Sequence, residues 1–224
     1  QHPLKCDRPI ASGAVAPAAA VLFLLILLLA AGALLYAGRP VGPEVLLILG
    51  GYLALNAAYT LWLKQIPLVD ATVLALGFVI RLHAGGCAAA IPVSHWLDIM
   101  VFLLALLLAL GKRADDLRNF RQTGRISRKS VTRYTEGYLQ ALLTILSTLL
   151  ATLYILYTLA PEVCQRSGDR MYYTIPLALL GIMRYLQIIL VEKRNSNPTG
   201  LFLRDRFLQL TLACWLLAFT LILY

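Results

Sequence analysis

The sequence predicts an all-α fold, a polytopic transmembrane helical bundle, and three observations carry that expectation. Charged residues make up 14% of the 224-residue chain and hydrophobic residues 60%, with a mean hydropathy of +0.76. A water-soluble domain of this length holds roughly 25% charged residues, so a fully hydrated surface is excluded. The apolar residues fall into seven stretches, each long enough to cross a hydrocarbon core of about 30 Å. Lys and Arg are shared unequally between the connections.

The stretches are expected at Pro17–Tyr36, Glu44–Leu61, Leu68–Ala88, His95–Gly111, Leu139–Leu159, Tyr172–Val191 and Phe207–Tyr224. Most are apolar all round, so periodicity does not orient them. The first follows a polar lead-in, QHPLKCDRPIASG, in which Pro9 and Gly13 shape a turn. It reads as a span, not a cleaved leader. Gly50 and Gly51 in the second stretch, and Gly85 and Gly86 in the third, allow close helix approach. The fourth runs into LGKRADDL and then a polar connection over 112–138, longer than a connector needs. The last follows LRDRFLQ, where Asp205 stands between Arg204 and Arg206.

With residues 1–16 in the cytoplasm and strict alternation, the inside connections hold 15 Lys and Arg and the outside ones 3. That bias sets the orientation. It also accounts for the net charge of +9. No basic groove with stacking aromatics is visible, so no nucleic-acid partner is expected. Cys6, Cys87, Cys164 and Cys214 have neither metal-ligand spacing nor the look of a disulfide framework. Soluble hydrolase and nucleotide-loop motifs are missing. His83 and His95 read as isolated structural or interfacial residues.

Polar groups within spans are functional candidates by default. Asp70 and Arg81 share the third stretch, eleven residues apart, which puts them on one helix face. Asn56, Tyr59, Lys64 and Asp70 form a polar cluster near one membrane surface, with Arg81 deeper. Snorkelling explains Lys64 equally well, and an interfacial belt explains Tyr59. Burying Asp70 or Arg81 without a partner costs several kcal/mol, so a partner or a role is expected for each. Asp115 and Asp116 follow Lys112 and Arg113, a pattern that suits a metal-bound diphosphate and also an ordinary charged helix end.

Five segments then occur in a telling order: HPLKCDRPIASG, NAAYTLWLKQIPLVDATVLALGFVIRLHAGG, LALGKRADDL, TGRISRKSVTRYTEGYL and GLFLRDRFLQL. They resemble the UbiA superfamily of intramembrane prenyltransferases, and more narrowly its decaprenyl-phosphate phosphoribosyltransferase branch, from the first residue to the last. The resemblance implies transfer of a phosphoribosyl group from 5-phosphoribosyl-1-pyrophosphate to a polyprenyl phosphate, with Mg2+ as cofactor. It implies a bacterial inner membrane, a cytoplasmic active face and a lipid tail lying in a groove between helices. Oligomeric state stays open.

The superfamily pattern has nine helices and an Asp-rich metal motif just before the HP-x-K segment. This chain is therefore expected to be a single domain over 1–224 lacking two helices and that motif, with little activity alone. By position, Lys5 and Arg8 would contact donor phosphate. Asn56, Tyr59, Lys64 and Asp70 match a second polar motif, with Lys64, Tyr59 and Asp70 in catalytic roles and Asn56 binding substrate. Arg81 matches the Arg of GF-x-x-R. Lys112, Arg113 and Asp116 match a Lys-Arg-x-x-acid pattern whose acid is usually Glu, and Asp116 is the candidate metal ligand and a catalytic group. Arg128 and Lys129 match an Arg-Lys-Ser run that binds substrate. Three rivals remain: prenyl transfer to an aromatic acceptor, an inactive or split fragment, and a membrane transporter.

Overall fold

In a computed structural model, residues 9–10, 12–37, 42–124, 129–192, 200 and 204–223 are described. Each expected apolar stretch falls on a helix. The helices are α1 (Pro17–Ala37), α2 (Pro43–Leu61), α3 (Val69–Ala89), α4 (His95–Thr123), α5 (Glu136–Thr158), a short α6 (Pro161–Ser167), α7 (Ile175–Leu190) and α8 (Arg206–Leu223). Single 3-10 segments lie at Leu63–Gln65, Lys129–Arg133 and Gly168–Thr174. No strand occurs among the described residues.

Among the described residues, five helical segments are long and apolar enough to cross a membrane: Pro43–Leu61, Val69–Ala89, Glu136–Thr158, Arg170–Leu190 and Arg206–Leu223. The described apolar part of α1, Pro17–Ala33, is shorter. The fourth expected span is only the first part of α4, which runs twelve residues past Gly111 and stops at Gly124 in the left-handed region (φ +67°). Half of the long polar connection is thus helix. Lys112–Arg121 keeps forming i→i+4 hydrogen bonds because nothing before Gly124 breaks the ladder.

Local signals start the elements. Ser94 Oγ accepts from Leu97 N at 3.2 Å to cap α4, and Thr135 Oγ1 accepts from Tyr138 N at 3.3 Å to cap α5. Pro43 begins α2. In the lead-in, Val15 N donates to Pro9 O at 2.9 Å and Gly13 has φ +79°, so the expected Pro9–Gly13 turn forms.

The core is built on α4. Leu103, Leu107, Leu110 and Leu117 pack against a stripe of Leu139, Leu143, Leu146 and Leu150 on α5, and against Tyr185, Ile188 and Ile189 on α7. The α5 stripe has helical spacing, one face in and one out. Helix α3 packs on the other flank of α4, α2 on α3, and α8 on α7. Leucines such as Leu29, Leu47 and Leu221 are more than 70% exposed. In water that surface would be untenable; against lipid tails it is the expected outer face. The antiparallel run brings the start of α3, the second half of α4, the start of α5, the end of α7 and the start of α8 to one end of the bundle.

Among the described glycines the tightest site is Gly111, where a Cβ would run into the Tyr185 hydroxyl and lie 2.7 Å from Ile189 Cδ1. Tyr185 is itself buried and donates to Leu107 O at 3.4 Å. Gly111→Val is expected to lower stability by about 1–3 kcal/mol through overpacking. Tyr185→Phe in the same chain should restore part of it, as read by thermal unfolding in detergent.

Candidate functional site

The end of the bundle just described is organised by one guanidinium. Arg113 on α4 is fully buried. Its Nε lies 2.6 Å from Asp70 Oδ2, and its Nη1 donates to Asp116 Oδ2 at 2.7 Å. The first approach is an ion-pair contact without good hydrogen-bond alignment, and Nη2 has no partner among the described residues. Asp70, in the first turn of α3, is also fully buried. Its Oδ2 accepts from Ser130 Oγ at 3.3 Å and its Oδ1 from Tyr134 OH at 3.5 Å.

The α2–α3 connection is strained where it meets this cluster. Leu68 has φ +66° and ψ −48°, and Val69 N donates to Pro67 O at 2.8 Å. This is a γ-turn of the rare, strained hand. Tyr134 OH accepts from Leu68 N at 2.5 Å while pointing at Asp70. One phenol therefore holds both the strained turn and the buried carboxylate. Burial, the largest influence, raises the Tyr134 pKa; the Leu68 N–H bond works the other way and the Asp70 charge adds to the rise. The 3-10 segment bearing Lys64 also touches the one at Lys129–Arg133.

A second ionic knot lies where α7 ends and α8 begins. Arg184 Nη2 meets Asp205 Oδ2 at 2.5 Å, Nε reaches Asp205 Oδ1 at 3.3 Å, and Nη1 meets Glu192 Oε1 at 2.6 Å. Asp205 Oδ1 also accepts from Leu208 N at 2.9 Å, capping α8. Between α4, α5, α7 and α8 lies an open apolar cavity of about 620 Å³, lined by Leu104, Leu107, Tyr157, Ile182, Tyr185 and Leu212 among others. Its polar neighbours are already satisfied: Trp215 Nε1 donates to Tyr154 OH at 2.7 Å, and that hydroxyl lies 2.6 Å from Thr174 Oγ1. Along α4, Leu108 on the cavity wall precedes Arg113 by five residues, about 7.5 Å of rise.

The candidates named from the sequence divide accordingly. Asp70, Arg113 and Asp116 come together, and Lys112 is exposed beside them on α4. Lys64 and Tyr59 are half-buried, and Lys64 is on the neighbouring turn. Asn56 is exposed and donates from Nδ2 to Tyr52 O of its own helix at 2.8 Å. Arg81 is exposed: its Nη1 donates to Tyr52 OH at 2.9 Å, and its guanidinium lies 4.3 Å from the Phe78 ring centre. The expected shared face of Asp70 and Arg81 does not make a shared site, because Arg81 turns to α2 and Asp70 to α4. Lys5, Arg8, Arg128 and the Lys129 side chain lie outside the described residues. His83 is not isolated, since its Nε2 lies 3.0 Å from Asp98 Oδ1 across the α3–α4 turn.

Ser130, Tyr134 and Arg184 were missed in the sequence. Only the last carried a signal, as a cation inside an apolar stretch. No group of three or more His, Cys, Asp or Glu gathers among the described residues. Asp116, already held by Arg113, is at most one ligand. The described donor set does not make a divalent-metal site by itself.

The profile of the UbiA prenyltransferase family matches residues 1–212. The chain is 30% identical, over 96% of its length and 69% of the relative's, to a decaprenyl-phosphate phosphoribosyltransferase of Mycolicibacterium smegmatis. A protein of that name from Mycobacterium tuberculosis H37Rv is 31% identical, over 96% of this chain and 70% of its own. One from Corynebacterium glutamicum is 29% identical, over 100% of this chain and 67% of its own.

Removing one member of the buried pair strands the other charge. Arg113→Ala or Asp70→Ala is expected to cost about 3–5 kcal/mol, while the apolar double replacement Asp70→Leu/Arg113→Met costs much less. A double-mutant cycle by thermal unfolding checks this. The raised Tyr134 pKa has a signed consequence. Its stabilising effect is complete below the unfolded value of about 10 and is lost as pH rises toward the folded value. Stability measured from pH 8 to 11 should therefore fall less steeply for Tyr134→Phe than for the wild type.

Proposed function

This chain belongs to the UbiA prenyltransferase family, and we propose that it moves a phosphoribosyl group from 5-phosphoribosyl-1-pyrophosphate to a polyprenyl phosphate at the cytoplasmic face of a bacterial inner membrane. The observation that carries the reading is the similarity over nearly the whole chain to proteins named for that reaction. The Arg113-centred cluster supports it, because it draws Lys64 and Lys112 to the end of the bundle that is richest in Lys and Arg.

The reaction needs little proton chemistry. The C1–O bond of the donor breaks, diphosphate leaves with the electron pair, and a phosphate oxygen of the lipid forms the new C1–O bond. The acceptor is already an anion, so no strong base is required. The protein's task is to hold two polyanions together and to stabilise charge on the leaving diphosphate. Lys64 and Lys112 are proposed as the cations that do this, joined by Lys5, Arg8, Arg128 and Lys129. Asp70 is enclosed by Arg113, Ser130 and Tyr134, so its role in the proposal is to position Arg113. Nη2 of Arg113, buried and without a hydrogen-bond partner among the described residues, retains donor capacity for one more oxygen. UbiA enzymes generally use a divalent metal, and Mg2+ is proposed to neutralise the donor diphosphate. The apolar cavity is proposed to take the first units of the prenyl chain, since it lies about 7.5 Å along α4 from the ionic cluster.

Membranes carrying the protein, incubated with labelled 5-phosphoribosyl-1-pyrophosphate, Mg2+ and polyprenyl phosphate, are expected to yield labelled lipid. No labelled lipid would overturn the proposal, and label passing from a prenyl diphosphate into an aromatic acid would replace it. Lys64→Ala and Asp116→Asn are each expected to cut turnover at least about tenfold in protein that still inserts, the loss typical of one electrostatic contact. Near-normal rates in both would return these residues to purely structural roles.

A further inference from the structure

A second guanidinium on α4 is buried for no reason that the cluster around Arg113 explains. Arg118 lies five residues beyond Arg113, about 140° around the helix, and faces away from α3 toward α5 and α7. Its Nε donates to Ala114 O at 3.2 Å. Its Nη1 and Nη2 are both buried and have no partner among the described residues. A guanidinium does not shed its proton, so two terminal nitrogens without an oxygen partner are costly there.

Beside it is a small cavity of about 30 Å³, open on one side. Ala114 and Arg118 line it on α4, Glu136, Leu139, Gln140 and Leu143 on α5, and Ile189 and Leu190 on α7. The Glu136 carboxylate on its wall is already engaged: its Oε1 accepts from Arg121 Nη1 at 2.9 Å. The first turn of α5 begins at Glu136, and its end of the helix dipole favours an anion. The Gln140 amide supplies another donor on the cavity wall. The remaining wall is hydrocarbon and continues along α5 and α7 into the apolar part of the bundle. The cavity sits where α4 passes from apolar to charged sequence, where α5 starts and where α7 stops. That is the level expected for lipid headgroups.

We propose that Arg118, with Gln140 and the start of α5, binds the phosphodiester of an anionic membrane phospholipid between α4, α5 and α7. A planar fork with two unfilled nitrogens matches two phosphate oxygens. The apolar wall below suits the acyl chains of the same molecule. A basic pocket between helices on the cytoplasmic side is the usual place for such a headgroup. This lipid is structural, held on the opposite flank of α4 from Asp70 and Arg113, and its site does not depend on which reaction the protein performs.

The test uses the whole chain, purified in detergent and delipidated, with thermal unfolding and native mass spectrometry as readouts. Phosphatidylglycerol is expected to raise the unfolding midpoint by about 4 °C or more and to remain bound in the mass spectrum. Phosphatidylcholine and inorganic phosphate should do neither. Arg118→Gln should lose the shift, Arg118→Lys should keep part of it, and Gln140→Leu should reduce it. An equal shift in the wild type and Arg118→Gln, or an unchanged shift in Gln140→Leu, would overturn the proposal. So would inorganic phosphate or phosphatidylcholine acting as well as phosphatidylglycerol. Should Arg118→Gln fail to fold, the wild type decides: no retained phosphatidylglycerol under excess lipid also overturns it.

Discussion

The buried contact between Arg113 and Asp70 is the constraint on which the rest of the polar end depends. A guanidinium is a permanent cation in proteins, and that of Arg113 is sealed from solvent. It therefore has to be surrounded by oxygen. Asp70 brings the first turn of α3, Asp116 adds a second carboxylate from α4 itself, and Ser130 and Tyr134 bring the segment that follows. Two helices and a loop that are far apart in sequence are held in one register by a charge that tolerates no other arrangement. The strained turn at Leu68 belongs to the same constraint. Such a backbone persists only where its surroundings over-determine it, and here Tyr134 is the side chain that does so.

Helix α4 is the axis because it lives in two solvents. Its first part carries leucines into the core between α3, α5 and α7, and its second part carries Lys112, Arg113, Asp115, Asp116, Arg118 and Arg121 beyond the apolar segment. An unbroken helix across that boundary transmits position rigidly from packing to charge. The Gly111–Tyr185 approach sits at the changeover. It lets α7 come close enough for its end to meet the charged half of α4. The Arg184–Asp205–Glu192 knot then ties the end of α7 to the start of α8. Each ionic knot lies at the same end of the bundle, where a membrane-embedded chain can afford charge only if it is partnered or hydrated.

For a transferase whose proposed substrates are a sugar diphosphate and a lipid phosphate, this layout separates two jobs. In the proposal the ionic end takes the polyanions and the apolar cavity takes hydrocarbon. Several residues first considered as direct participants turn out to be engaged with the protein itself. Asp70 is spent on Arg113, Asn56 on its own helix, and Arg81 on Tyr52 and Phe78. Lys112 is exposed and Lys64 half-buried at the same end of the bundle. The proposed chemistry accordingly rests on cations that are less buried than the ion pair beside them.

How much was legible follows from the range of each interaction. Hydropathy is a sum over neighbouring residues, so all seven apolar stretches, the Pro9–Gly13 turn and the charge asymmetry could be read directly. The family was legible because its motifs are short and contiguous: KRADDL, GFVIR, RDRF. The extension of α4 to Thr123 was not, because polar composition was read as a loop where only Gly124 actually stops the helix. Pairings were least visible. His83 meets Asp98, and Arg184 meets Asp205 across a connection. Tyr134 is 64 residues from the Asp70 it contacts. The sequence by itself determined that this is a helical membrane bundle of the UbiA type with a basic end, since burial in lipid and insertion by charge act on local composition. Only the tertiary structure decided which charges face each other and which stay exposed. A buried ion pair is selected by distances between helices, and no local property of either partner encodes that distance.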